Sequence, residues 1–317
     1  MSQRLLLLCV FLIASAQVSA DDWPQWRRPN RDGVWSESGV ISEFDSPEIQ
    51  LKWRVPISSG YSGPTVANGF VYVSDRVVQP KEIERVHCFR WETGNRVWSH
   101  EYDCPYGEVG YQAGPRAAVL VDDGLAYSLG ATGTLICFDA LSGKIVWEHD
   151  LRAQYKIRMP NWGIAASPVI EKDLLIVQIG GADACIVAFD RKSGAERWKS
   201  QSDDASYSAP IVIDQAGKRV LICWTGERVL GLDPTNGNLY WEQEFKWEKW
   251  PIGIADPVVY RNRLLISDVH KGSLLLGLSD VEASAERIWH RRKKEVGEGM
   301  ALHCLMSTPY IVDEHIY

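Results

Sequence analysis

At 317 residues the chain can fill one large core or two ordinary ones. Apolar residues make up 45% and charged residues 24%, which excludes an intrinsically disordered chain. A net charge of −7 argues against a nucleic-acid partner, because neutralising phosphates needs a basic face.

The first stretch, "MSQRLLLLCVFLIASAQVSA", has one basic residue, Arg4, then an apolar run from Leu5 to Ala14. It ends in the small residues Ser19 and Ala20 and reads as a signal peptide over 1–20. The run is short for a membrane span, and no later stretch reaches about 18 apolar residues, so no transmembrane segment is expected. Cys9 follows Leu8, not a small residue, so a freely exported product is expected, periplasmic or extracellular. Residues 21–49 form an N-terminal extension, and the remainder, 50–317, is one repeating domain.

Two markers set the period. Trp53, Trp98, Trp147, Trp198, Trp241 and Trp289 are spaced by 45, 49, 51, 43 and 48 residues. Pro64, Pro115, Pro168, Pro210, Pro257 and Pro309 are spaced by 51, 53, 42, 47 and 52. Within a unit, "AAVLVDD", "GLAYSLG", "TLICFD" and "KIVWEHD" read as four short strands broken by Gly and Asp. Four strands every 40 to 50 residues is the pattern of a β-propeller blade, so the fold is expected to be all-β, with four-stranded antiparallel blades.

The phrases "CFDALSGKIVW", "AFDRKSGAERW" and "GLDPTNGNLYW" close each unit. Their Asp139–Gly143, Asp190–Gly194 and Asp233–Gly237 pairs define tight turns between the third and fourth strands. The carboxylate accepts the turn's own amides, and Gly takes a positive φ without steric cost. The Trp that follows should wedge between blades, each buried ring contributing about 2–3 kcal/mol. Unit one puts Arg90 in place of Asp, and unit five reads "GLSDVEASAERIW" with Ser279 there and no Gly, so both turns should be looser.

These phrases resemble the tryptophan-docking motif of the quinoprotein-type propellers, the pyrroloquinoline quinone (PQQ) repeats, from about Trp53 to the C-terminus. The leading "DWPQWRRPNRDGVW" is similar to the extension of secreted members. The resemblance implies a ring of seven or eight blades. Five full units and a partial sixth, preceded by a lone fourth strand at Trp53, therefore read as an incomplete ring. It also leaves two functions open. One is a non-catalytic binding or scaffold module of the cell envelope, similar to the propeller of outer-membrane barrel assembly, with an envelope protein or a small ligand as partner and no cofactor. The other is a PQQ-dependent dehydrogenase of alcohols or sugars. In those enzymes the quinone lies over the ring's centre with calcium, an Asp base and commonly an adjacent Cys pair. Here no two Cys are adjacent, and no Asp matches a family base, so no catalytic or cofactor-binding residue is assigned.

A ligand is expected at the mouth where the first strands enter, whose preceding stretches carry Tyr61, Tyr111, Arg116, Trp162 and Tyr207. Aromatics with one Arg suit a planar or anionic group, or else simply pack the blade tops. Cys88, Cys137, Cys185 and Cys223 lie in apolar strand patterns and read as small buried hydrophobes rather than a disulfide framework. No Cys or His spacing suggests a metal site. "HRRKK" from His290 reads as a solvated strand end.

Overall fold

The computed structural model describes residues 21–35, 37–39, 43–44, 46–246, 253–292 and 302–317. The signal-peptide reading, Lys293 and Lys294 lie outside them. Five four-stranded antiparallel sheets and a two-stranded hairpin follow one another along the chain, a propeller of five complete blades and a partial sixth.

Blade 1 holds β1 (Thr65–Ala67), β2 (Phe70–Val77), β3 (Ile83–Arg90) and β4 (Arg96–Asp103). Blade 2 holds β5 (Leu120–Asp122), β6 (Leu125–Leu129), β7 (Thr134–Asp139) and β8 (Ile145–Asp150). Blade 3 holds β9 (Val169–Glu171), β10 (Leu174–Gly181), β11 (Ala184–Asp190) and β12 (Glu196–Ser200). Blade 4 holds β13 (Ile211–Gln215), β14 (Lys218–Trp224), β15 (Arg228–Leu232) and β16 (Leu239–Glu244). Blade 5 holds β17 (Val258–Tyr260), β18 (Arg263–Asp268), β19 (Gly272–Leu278) and β20 (Ala285–Arg291), before the hairpin β21 (Ile311–Val312) and β22 (His315–Ile316). Among the described residues one α-helix occurs, α1 (Leu151–Tyr155), capped by Asp150 accepting from the Ala153 amide.

The apolar cores lie between blades. Val86, Cys88, Ile136 and Phe138 join blades 1 and 2, while Leu135, Cys137, Leu175 and Val187 join blades 2 and 3. Ile176, Ile186, Leu221 and Leu230 join blades 3 and 4, and Ile222, Val229, Leu264 and Leu276 join blades 4 and 5. A blade is hydrophobic on both faces and cannot hide either alone, which is why the unit must repeat.

The Trp motif shows how this repetition is locked. In each blade the residue before the Trp bulges out of the ladder, at Val97, Val146, Arg197, Tyr240 and Ile288. A bulge bends the strand and re-aims the side chain beside it. The Trp98 ring then lies on Gly143 of the next blade, Trp147 on Gly194, and Trp198 on Gly237; an added Cβ would meet the rings at 2.6, 2.7 and 2.6 Å. Each indole also donates to a carbonyl in that turn: Trp98 to Ala140 (2.9 Å), Trp147 to Arg191 (3.1 Å) and Trp198 to Pro234 (3.0 Å). The glycine thus serves twice, for its positive φ and as the floor of the neighbouring ring. Asp139 and Asp190 brace their turns through the amide and hydroxyl of Ser142 and Ser193, and Asp233 through those of Thr235.

Three expectations need correction. Trp53 is not on a strand, yet it docks like the others, packed on Gly94 and donating to the Trp91 carbonyl at 2.7 Å. Pro115 is not the blade-2 counterpart of the other prolines. Pro64, Pro168, Pro210 and Pro257 directly precede their first strands, whereas Pro115 stands five residues before β5, where Val119 takes the equivalent place. The unit-one turn is not loose, because the Gly94 amide still reaches the Arg90 carbonyl at 2.8 Å and needs no carboxylate.

Unit five is repaired from outside. With no Gly ahead of it, Trp241 turns back over Gly231 of its own blade and donates to Gln215 Oε1 at 3.2 Å. The buried Gln215 amide donates in turn to the Ser284 carbonyl at 2.6 Å, bridging blades 4 and 5. Gln215→Leu should leave the buried Trp241 indole N–H without its acceptor, while the Ser284 carbonyl keeps the Ser279 amide, and cost about 1–3 kcal/mol, read as a lower urea midpoint. Trp289, at the far face of blade 5, is only half-buried and lies under the Arg291 guanidinium.

All six described cysteines are free, and Cys88 and Cys137 sit at the same place in successive blades, each opposite its blade's Trp. Burial pushes the Cys137 thiol up to about 12, so it behaves as a small apolar side chain.

Candidate functional site

The residues ahead of the blades form a strap across the hub, where first strands of successive blades lie side by side. Trp23 forms an antiparallel bridge with Val66, and the Pro24 carbonyl accepts from the Val121 amide at 2.8 Å. Arg31, 6% exposed, donates to the carbonyls of Pro168 (2.7 Å) and Ser167 (3.0 Å). Trp26 donates to Asp256 Oδ2 at 2.6 Å, with Arg27 3.7 Å from the same oxygen. The strap thus joins blades 1, 2, 3 and 5. A groove remains between Arg27, Asn30–Asp32 and the first strands of blades 4 to 6.

Asp256 is fully enclosed, and its other oxygen accepts from the Ala209 amide at 2.8 Å. Burial raises its pKa, against the pull of Trp26, Ala209, Arg27 and Arg31. Burial also lowers Arg31 to about 10, with Asp256 opposing. Together they are a buried carboxylate with one guanidinium 3.7 Å away and the charge of a second acting on it.

The five residues expected at the mouth come together in one array. Tyr61 and Tyr111 meet edge to face at 6.4 Å, Tyr111 and Trp162 at 5.5 Å, and Trp162 and Tyr207 lie 5.0 Å apart. Tyr207 is buried and its hydroxyl accepts from the Trp162 amide at 3.2 Å, whereas Tyr61 and Tyr111 are 50% and 60% exposed. Arg116 stands over Tyr61 at 5.4 Å, and its terminal nitrogens are committed to the carbonyls of Gly110, Tyr111 and Gly114. It therefore ties the loop carrying Tyr111 and offers no open fork to an anion.

Sequence reasoning missed the strap. Its signal was present in the dense Trp, Arg and Pro content of residues 23–31, but nothing in that stretch tells which blades it meets.

On the outer face of blade 1, Asp75 is buried beneath Arg85 (2.6 Å), His87 (3.1 Å) and the Ser58 amide (2.6 Å). Burial pushes its pKa up, but these hydrogen bonds outweigh burial and hold it well below the usual carboxylate range. Asp139 and Asp190 are lowered too, by Ser142 and Ser193. A pKa depressed in the folded state contributes stability above the unfolded value of about 4 and loses it as the pH falls towards the folded one. The urea midpoint should hold from pH 7 to 5 and drop below about pH 4, less steeply in Asp75→Asn.

Radially repeated four-stranded blades with interlocking indoles define a β-propeller of the tryptophan-docked class. A family model described as outer membrane protein assembly factor BamB matches residues 82–304, more than half the chain, and the protein belongs to that PQQ-like propeller family. It is 26% identical over 212 residues to the quinohemoprotein alcohol dehydrogenase of Comamonas testosteroni, covering 64% of this chain and 28% of the enzyme. It is 24% identical over 211 residues to BamB of Kangiella koreensis, covering 63% of this chain and 47% of that protein. The crystal structure of the Comamonas testosteroni enzyme superposes with a TM-score of 0.63 at 16% identity, over 92% of this chain and 52% of that one. The chain thus answers to only part of each relative's length. Other relatives named as quinone-dependent alcohol dehydrogenases match over shorter stretches.

The hub residues do not fit a calcium-held quinone. Calcium takes six to eight oxygens, several from carboxylates. Here Asp256 is the carboxylate paired with the strap's Trp26 and Arg27, and both its oxygens are already in use. Among the described residues no three His, Cys, Asp or Glu side chains converge, and no helix is long and apolar enough to cross a membrane.

Proposed function

We propose that this protein is an exported, non-catalytic propeller that binds a ligand or an envelope protein through the aromatic rim of Tyr61, Tyr111, Trp162 and Tyr207. In this reading residues 1–20 are removed on export, 21–49 serve as the axial strap and its tail, and 50–317 are the propeller. The mature product works in the periplasm or outside the cell. The observation that carries it is the strap: Trp26, Arg27 and Arg31 take the hub position with Asp256. Exposed aromatics at the same mouth, set edge to face, supply contact area at low entropic cost.

The second reading, a PQQ-dependent dehydrogenase of alcohols or sugars, is favoured by the relatives. On likeness alone it is the better supported of the two, since the relatives named as quinone-dependent dehydrogenases span up to 64% of this chain. The geometry of the hub weighs against it. Incubating the mature protein with calcium and excess PQQ, and following dye reduction with short alcohols and aldoses, separates the two. The binding reading expects no turnover. Turnover that saturates with quinone and disappears on chelation would overturn it.

A further inference from the structure

In an antiparallel hairpin, pairs that exchange both backbone hydrogen bonds alternate with pairs that turn theirs outward. The pair that closes a two-residue turn exchanges its bonds. In the first strand of a blade this alternation aims the backbone of one residue at the hub. In blade 1 Ala67 and Phe70 close the turn, so Val66 faces outward. In blade 2 Asp122 and Leu125 close it, so Val121 does. The strap answers both. Val66 and Trp23 exchange bonds of 2.7 and 3.0 Å, and the Val121 amide donates to the Pro24 carbonyl at 2.8 Å.

The same register puts Val212, Val259 and Ile311 in this position in blades 4, 5 and 6. Tyr310 and Tyr317 exchange bonds of 2.9 and 2.8 Å beside Ile311, as the alternation requires. All three residues line the groove that the strap leaves, and all three are half-buried rather than closed off. Among the described residues no backbone bond reaches them from outside their own sheets. The groove holds about 130 Å³ between walls of Ile211, Ile213 and Val258, too little for a helix about 10–12 Å across. A backbone suits these edges because it offers N–H and C=O together, whereas an anion or a metal ion answers only one of the two. We infer that the groove takes a short, extended, apolar peptide segment of a partner protein. The segment crosses blades 4 to 6 and bonds Val212, Val259 and Ile311 as the strap crosses blades 1 and 2. Main-chain pairing supplies the affinity, and the Ile and Val walls select apolar side chains. This site is distinct from the rim, since none of Tyr61, Tyr111, Trp162 and Tyr207 lines the groove.

The test uses the whole mature protein and the blocked peptide acetyl-Thr-Val-Thr-Val-Thr-amide, by titration calorimetry and amide exchange in NMR spectra. In the free protein the Val212, Val259 and Ile311 amides should exchange faster than those of Val66 and Val121. The peptide should bind saturably and slow all three. Its analogue N-methylated at every residue should bind about tenfold more weakly or worse, the loss of at least one backbone hydrogen bond. Val259→Pro removes a hub-facing N–H and no ladder bond, a place where an edge strand accepts proline. It should weaken the peptide about tenfold while the thermal midpoint holds. Asn30→Trp, at an exposed groove position on the strap, fills the groove without altering a strand and should abolish binding. Slow exchange at all three amides in the free protein, failure of the peptide to bind, or equal binding of the N-methylated analogue would overturn the peptide groove. If Trp162→Ala weakens the peptide and Asn30→Trp does not, the peptide sits on the rim, so the rim reading survives and the groove falls.

Discussion

Trp198→Ala is expected to lose about 3–5 kcal/mol of stability, the range for truncating a large aromatic in a packed interior. The ring is 8% exposed and lies in the core shared by blades 3 and 4. It covers Gly237, and its indole N–H holds the Pro234 carbonyl. Truncation opens a cavity and frees a turn carbonyl together. Trp147→Ala, with the same contacts to Gly194 and Arg191, should lose a similar amount. Urea unfolding followed by circular dichroism reads both. A loss under about 1 kcal/mol in either would show that the indoles fill surface grooves rather than lock blades. Trp289→Ala is the internal control: its ring is only half-buried, and it should lose markedly less.

Asp256→Ala has a comparable expected effect, about 3–5 kcal/mol, for a different reason. Removing one member of a buried charge cluster strands the others. Arg27 and the enclosed Arg31 lose their countercharge, and the Trp26 indole and Ala209 amide lose their acceptor. Asp256→Asn keeps an acceptor oxygen and should recover part of the loss. The strap should also become sensitive to protease at Arg27, Arg28 and Arg31 in Asp256→Ala while the blades resist. Wild-type stability in Asp256→Ala would mean that the strap is not anchored there.

The blades were legible in the sequence because each carries the same local solution. A turn Gly with positive φ and a Trp four residues on, after a bulge, form a repeated chemical unit, so Asp139–Trp147 predicted what Asp190–Trp198 does. The prolines were a weaker guide. Pro115 belongs to the loop in which Tyr61 and Ser62 donate to its carbonyl, a backbone contact between blades that no spacing reveals. Gln215 shows the same limit: the missing Gly in unit five was visible, but its replacement comes from another strand. The grouping of the five rim residues was legible because each stands just ahead of a blade. Trp26 and Asp256 could not be paired, being 230 residues apart.

The central claim is that the chain's own N-terminal segment occupies the hub. Amide hydrogen exchange by mass spectrometry on the mature wild-type protein tests it most directly. The strap's amides at Trp23, Arg28, Arg31 and Gly33 donate to backbone carbonyls, as does Val121 to Pro24. Peptides covering 21–35 should therefore exchange on the timescale of the blade strands, and Asp256→Ala should release them selectively. Exchange of 21–35 at the rate of an unstructured chain, with the blades still protected, would contradict the account and leave the hub open to a cofactor.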